Sequence, residues 1–386
     1  MSLLEALHAR LARRHADGLH RQRRIAEGPA GVERVIDGEA LLTFCSNDYL
    51  GLADHPAVAR AFHLGIERWG AGSGAAHLID GHTRAHHALE EELADWTGQP
   101  RALLFSTGYM ANIGVLTALA GEACILFEDR LNHASLLDGA LLSRRRLVRY
   151  DHADPDDLAR RLTQSTQPLR LVATDGVFSM DGDIAPLPTL AQICQTHGAG
   201  LIVDDAHALG VIGREGAGSL AACGVASDPL IAQVGTLGKA LGTFGAFVAG
   251  HETLIETVLQ FARSYLFTTA PPAALAEATR AAVRLARAEG WRRDHLANLI
   301  TRFRRGAESL GLELLPSTTP IQPLVLGSAE RAVQCADQLR RAGLLVPAVR
   351  PPTVPDGSAR LRITFSARHS EAHVDRLLEA LAEVVP

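Results

Sequence analysis

Between about residues 100 and 250, short apolar runs alternate with amphipathic helical stretches, and no other feature of this chain restricts its fold so strongly. Such alternation is the sequence form of βαβ units: a strand buried on both faces is almost continuously apolar, whereas its crossover helix is apolar on one side only. Strands are expected at Ala102–Phe105, Cys124–Phe127, Leu171–Thr174, Leu201–Asp204 and Ala246–Ala249. Between the third and fourth, PLPTLAQICQTHGAG opens on proline, has helical spacing at Leu190, Ile193 and Cys194, and stops at Gly198, which completes one crossover. The fold class is therefore α/β with a mostly parallel sheet, and a ligand is expected beyond the carboxyl ends of its strands.

The flanks read differently. Residues 1–40 form a helix and a short extended segment, 41–275 the large α/β domain, and 276–386 a smaller α+β C-terminal domain. In the last, long Ala/Arg/Leu-rich helices precede strands at Ile321–Leu326 and Arg360–Thr364. With 47% apolar and 21% charged residues the chain can bury a large core. A net charge of -5 argues against a general nucleic-acid or membrane surface. Cys45, Cys124, Cys194, Cys223 and Cys335 lie far apart with no CxxC pair, so neither a disulfide framework nor a thiolate zinc site is expected. The N-terminal stretch MSLLEALHARLARRHADGLHRQRRI is a charged amphipathic helix without a secretory apolar core. Glu5 and Asp17 count against a transit peptide, and a cytoplasmic protein is the simplest expectation.

Several segments could carry chemistry. VGTLGKALGTFGA sets Lys239 among glycines with few polar neighbours. A lysine in an apolar turn can lose its proton and form a Schiff base, because burial disfavours the ammonium. A phosphate-binding loop of the Walker type would need glycine at position 233 and Ser or Thr at 240, where this chain has Gln233 and Ala240. LIVDDAHALG ends an apolar strand on Asp204 and places His207 three residues later; a helix N-cap is the other reading of this acidic pair and suits Asp205 better. LLFSTGYMANIGVL passes from a strand through Ser106, Thr107 and Gly108 into a helix whose free N–H groups suit an anion. His133 in LNHASLLDG and Ser179 in GVFSMDGD are ambiguous by themselves. His82, His86 and His87 have metal-like spacing without an evident third ligand, so they read as a solvated helix start and no metal site is expected.

Taken together and in order, SNDYLGL at 46–52, NHAS at 132–135, DGVFSMDGD at 175–183, DDAH at 204–207 and GTLGK at 235–239 resemble the α-oxoamine synthases, a fold-type I family dependent on pyridoxal 5'-phosphate (PLP). The resemblance runs from about Arg21 to the C-terminus. It implies a PLP-binding large domain in a homodimer with the active site at the interface. Lys239 would be the Schiff-base lysine and proton shuttle, Asp204 the partner of the ring nitrogen, and His133 the residue stacked on the ring. His207 and Ser179 would sit at the ring's phenolic oxygen. Gly108, Tyr109 and Thr236 would hold the phosphate, with Thr268 or Thr269 reaching it from the neighbouring subunit. Asn47 and Arg362 would bind the amino-acid carboxylate.

The family condenses alanine, glycine or serine with various acyl thioesters. The tail AVRPPTVPDGSARLRIT, with Arg350 and Thr353, looks most like the member that joins L-alanine to a pimeloyl group on coenzyme A or acyl-carrier protein; Arg21 matches a position that member uses. Three departures bear on substrate choice: Asp80 replaces a small residue, HALG replaces His-Gly-Thr-Gly, and Ala75-Ala76 replace a Gly/Ser-rich pair. A non-catalytic subunit of this fold would lack the lysine, which is present here.

Overall fold

The computed structural model describes residues 1–17, 19–225, 228 and 230–385. The N-terminal segment supplies three strands, β1 (Ala26–Glu27), β2 (Glu33–Ile36) and β3 (Glu39–Thr43). Seven more form the large sheet: β4 (Arg101–Phe105), β5 (Cys124–Asp129), β6 (Arg146–Tyr150), β7 (Leu169–Asp175), β8 (Gly200–Asp204), β9 (Ile231–Thr236) and β10 (Ala246–Gly250). The C-terminal part adds β11 (Ile321–Gly327), β12 (Leu344–Leu345), β13 (Ala348–Val349) and β14 (Ala359–Thr364).

The large sheet has the order β4-β10-β9-β8-β7-β5-β6, parallel except for β10, which runs antiparallel to both its neighbours. Its strands are buried on both faces: Leu126 packs into one apolar cluster while Ile125 and Phe127 belong to the other. The expected crossover is the helix Leu187–Thr196, with Pro186 at its N-cap. Two strands in this sheet depart from the expected set. β6 is an edge strand whose charged residues Arg146 and Arg149 break the apolar run, and β9 carries the buried Gln233 in its middle.

From β5 the chain moves outward to β6, then returns to the other side of β5 for β7 and continues through β8 to β9. This reversal opens a crevice at the carboxyl ends of β5 and β7, where doubly wound sheets bind ligands. The antiparallel β10 does not disturb that edge, because Ala246 pairs with both Thr236 and Phe105 and so brings the ends of β9 and β4 level with it.

A small sheet, β11-β14-β13, is covered by helices Trp291–Ser309, Ala329–Arg341 and Glu371–Val384. The N-terminal strands join this end of the molecule, since β12 pairs in parallel with β3 in the sheet β1-β2-β3-β12. The two halves are tied by helix packing as well: a Cβ on Gly65, in helix Pro56–Trp69, would stand 2.8 Å from the Ala274 Cα of helix Ala273–Ala288, so only glycine permits that approach. Among the described residues no helix is long and apolar enough to cross a membrane.

Candidate active site

The carboxyl edge of the large sheet gathers ionisable side chains that the sequence holds far apart. β7 ends on Asp175 and β8 on Asp204, and the two residues are partners in register. Two buried carboxylates side by side repel, and Asp175 is held well above the carboxylate range, first by burial and then by the charge of Asp204. Asp204 stands in a different setting. Its Oδ2 accepts from Asn112 Nδ2 at 2.6 Å and its Oδ1 from the Ala206 amide at 2.9 Å. Both oxygens of Asp204 thus have a donor, and Asp175 accepts the His133 amide at 2.7 Å.

Lys239 follows β9 and is the only lysine in the chain. Burial pushes its ammonium down to about 8, against the attraction of Asp204 and Asp175. Its Nζ lies 2.9 Å from His207 Nε2, and His207 Nδ1 lies 2.6 Å from the Tyr49 hydroxyl. The Tyr49 O–H donates to Asn47 Oδ1 at 3.2 Å, which assigns the direction of the whole row. Tyr49 then accepts from His207 Nδ1–H, and His207 Nε2 is left to accept from Lys239. Burial, with the cations of Lys239 and Arg362 nearby, keeps His207 neutral by holding it well below its ordinary range.

Arg362 closes the row. Both its terminal nitrogens approach Asn47 Oδ1 at 3.4 Å, and its Nε donates to the Ser179 carbonyl at 2.6 Å. Ser179 thus contributes a backbone oxygen to this contact. His133 caps the helix Ala134–Leu142, and its Nδ1 lies 2.7 Å from the Ser135 hydroxyl. Burial lowers its pKa while the charge of Asp204 opposes the shift.

At the other side of the crevice, helix Gly108–Leu119 begins directly after β4. Thr107 caps it, accepting the Met110 amide, and the amides of Gly108 and Tyr109 have no helical partner. A Cβ on Gly108 would lie 3.9 Å from the Thr236 hydroxyl, so this helix start and the end of β9 stand side by side. The Tyr109 hydroxyl turns away and donates to Asp138. Thr268 and Thr269 lie in the stretch that bridges to Ala76, with Thr269 exposed. Arg21 is exposed, Arg350 half-buried and Thr353 exposed; among the described residues no side-chain hydrogen bond joins them to the Lys239 row.

Two expectations need correction. Asp205 is no helix cap: the chain after β8 enters turns, and the buried Asp205 accepts from Ser219 and from Gln233 Nε2 at 2.7 Å, fixing the loop behind the site. His82, His86 and His87 are not a solvated helix start. His86 is fully buried, with Thr83 N–H donating to its Nδ1 at 3.1 Å and its Nε2 donating to the Pro271 carbonyl at 2.7 Å. Asn112, Tyr49 and Asp175 were not singled out from the sequence. Asp175 carried the same strand-end signal as Asp204; the other two have polar partners 92 and 158 positions away, which no local pattern shows.

The Aminotransferase class I and II model matches residues 39–381 of this chain. The 8-amino-7-oxononanoate synthase of Nitrosococcus oceani is 59% identical over 97% of this chain and 100% of its own length. That of Thioalkalivibrio sulfidiphilus is 60% identical over 97% and 96%. The chain is an α-oxoamine synthase of the class I and II aminotransferase family. Solved structures agree with its fold: the Sphingomonas wittichii serine palmitoyltransferase superposes with a TM-score of 0.93 at 30% identity, covering 100% of this chain and 98% of that one. The 8-amino-7-oxononanoate synthase of Francisella tularensis gives 0.78 at 30% identity over 89% and 97%. This α-oxoamine synthase therefore has a fold-type I architecture of a PLP-dependent family.

The residues present fit PLP by their chemistry. A depressed lysine amine can attack an aldehyde, a satisfied carboxylate can hold a protonated ring nitrogen, and unpaired helix amides facing a threonine hydroxyl can take a phosphate.

Proposed function

We propose that this enzyme condenses L-alanine with a pimeloyl thioester, on coenzyme A or acyl-carrier protein, releasing carbon dioxide and the free thiol and forming 8-amino-7-oxononanoate for biotin synthesis. The full-length likeness to relatives of that name supports the substrate pair, and one observation carries the chemistry: the chain's single lysine is a buried amine with its pKa lowered to about 8, hydrogen-bonded to a neutral histidine and close to two carboxylates.

PLP when bound supplies an electron sink for charge developing at the amino acid's Cα. Lys239, Asp204, His133, Gly108, Tyr109 and Thr236 would hold it, with His207 and Ser179 at the phenolic oxygen. Asp204 fits the ring nitrogen because Asn112 and the Ala206 amide hold its carboxylate in place at the strand end. Lys239, as the free amine, removes the Cα proton and later returns it. Its hydrogen bond to His207 aims the amine, and Tyr49 keeps His207 in the accepting tautomer. Arg362 and Asn47 bind the alanine carboxylate; the long 3.4 Å contacts between them leave the guanidinium free to form a two-pronged pair with a substrate. His133 is placed to donate to the departing carboxylate.

Thr268 or Thr269 of a second subunit completes the phosphate site in this reading, which makes the enzyme a homodimer. Arg21, Arg350 and Thr353 lie along the path of the acyl chain.

Pimeloyl-CoA against heptanoyl-CoA, with saturating alanine, tests the substrate assignment. A hydrogen-bonded ion contact to the terminal carboxylate contributes about 1.5–3 kcal/mol, so pimeloyl-CoA should have roughly tenfold to a hundredfold higher kcat/KM. Equal values would remove the pimeloyl assignment, and a preference for glycine with acetyl-CoA would move the enzyme to the 2-amino-3-ketobutyrate ligase branch.

A further inference from the structure

The histidines that precede and open helix Arg84–Thr97 belong to no part of the site described above. We infer that His82, His87 and Glu90 bind a divalent transition ion of zinc's class at a second site. His87 and Glu90 are three residues apart and so lie on one face of the helix, while His82 approaches from the turn before it. One ligand atom from each of the three falls within 4.8 Å of the others, and His82 Nε2 is 3.9 Å from Glu90 Oε2. Tetrahedral nitrogen and oxygen ligands around zinc stand roughly 3.4 Å apart, so a small movement of the half-exposed His87 ring closes the set.

The surroundings are built as ligand support. Glu90 Oε1 accepts the Leu104 amide at 2.9 Å, which leaves Oε2 to face His82. His82 Nδ1 lies 3.0 Å from His77 Nδ1, a contact that fixes the ring and directs Nε2 toward Glu90. His77 is 7% exposed and stacks on Tyr265 at 5.0 Å, which holds the ring that His82 contacts. The cluster opens on a cavity of about 270 Å³ whose wall includes His77, His82, His87, Glu90 and Tyr265, so an ion and its water have both room and an entry path.

His86 is not a ligand here, because both its nitrogens are used by Thr83 and Pro271. Water supplies the fourth ligand of the set. Two imidazole nitrogens, one carboxylate oxygen and water form a borderline set, suited to zinc and its neighbours rather than to calcium or magnesium. The ion would clamp the helix to the turn His77–Gly81, which continues from Ala76 and its bridge to Thr269.

The test uses tag-free, PLP-loaded enzyme. Zn²⁺ affinity is measured by competition with a chromophoric chelator, and Co²⁺ reports the ligand field through its visible bands. The expected result is one tight Zn²⁺ per chain and a four-coordinate Co²⁺ spectrum, with affinity at least tenfold weaker in both His87→Ala and Glu90→Gln while the PLP absorbance is unchanged. The amide introduced by Glu90→Gln keeps an oxygen for the Leu104 N–H, and His87 is half-exposed, so both variants should fold. The inference is overturned if the parent binds no Zn²⁺ more tightly than the chelator, or if the two variants bind it as well as the parent.

Discussion

Replacing Lys239 by methionine in the cofactor-free protein should stabilise it at neutral pH. Folding buries this lysine and moves its pKa from 10.5 to about 8, a displacement that corresponds to about 3 kcal/mol against the folded state. Below pH 8 the lysine is protonated both folded and unfolded, so the full penalty is present. Between pH 8 and 10.5 the unfolded chain holds a proton that the folded one has lost, and the parent gains stability with rising pH. Methionine has similar length and no charge, so its variant does not share this gain. Urea unfolding of both cofactor-free proteins at several pH values measures the difference, in which the titrating groups away from Lys239 cancel. The variant should be more stable by about 3 kcal/mol at pH 7, with the gap shrinking toward zero near pH 10.5. A variant less stable than the parent at pH 7, or a gap independent of pH, would refute the reasoning.

Two further substitutions probe the groups around the amine. Asp204→Asn should fold but lose most activity, because an amide cannot stabilise a protonated ring nitrogen as a carboxylate does; exchange of the alanine Cα proton at the parent's rate would count against the role. Tyr49→Phe removes the acceptor of His207 Nδ1–H at 2.6 Å and leaves a buried donor unpaired, which should cost about 1–3 kcal/mol of stability and lower kcat/KM; parent-like unfolding and kinetics would show that the row from Asn47 to Lys239 carries no weight.

The parts of this molecule that were readable from its sequence are those with local causes. Five strands of the large sheet announce themselves as apolar runs, and Pro186 and Gly198 bracket the crossover between β7 and β8. β6 escaped because an edge strand tolerates Arg146 and Arg149, and β9 because Gln233 is buried against Asp205 and the Ala217 carbonyl instead of facing solvent. The site divides in the same way. Lys239 and Asp204 stand out by type and position, one in a glycine-rich turn and one at a strand end. Asn112 sits in mid-helix and gains its meaning only from the Asp204 carboxylate folded against it. His86 illustrates the reverse error: among arginine and histidine neighbours it reads as exposed, but the Pro271 carbonyl from a distant segment satisfies it inside the core.

The central claim is that Lys239 carries the cofactor. Because the chain has no other lysine, the competing amine is the N-terminus, which makes the measurement clean. PLP-loaded enzyme is reduced with borohydride, digested and mapped by mass spectrometry. The phosphopyridoxyl group is expected on the peptide that spans Lys239, and the visible absorbance band should vanish on reduction. Label on the N-terminal peptide instead, or no stable label with PLP present in excess, would contradict the account.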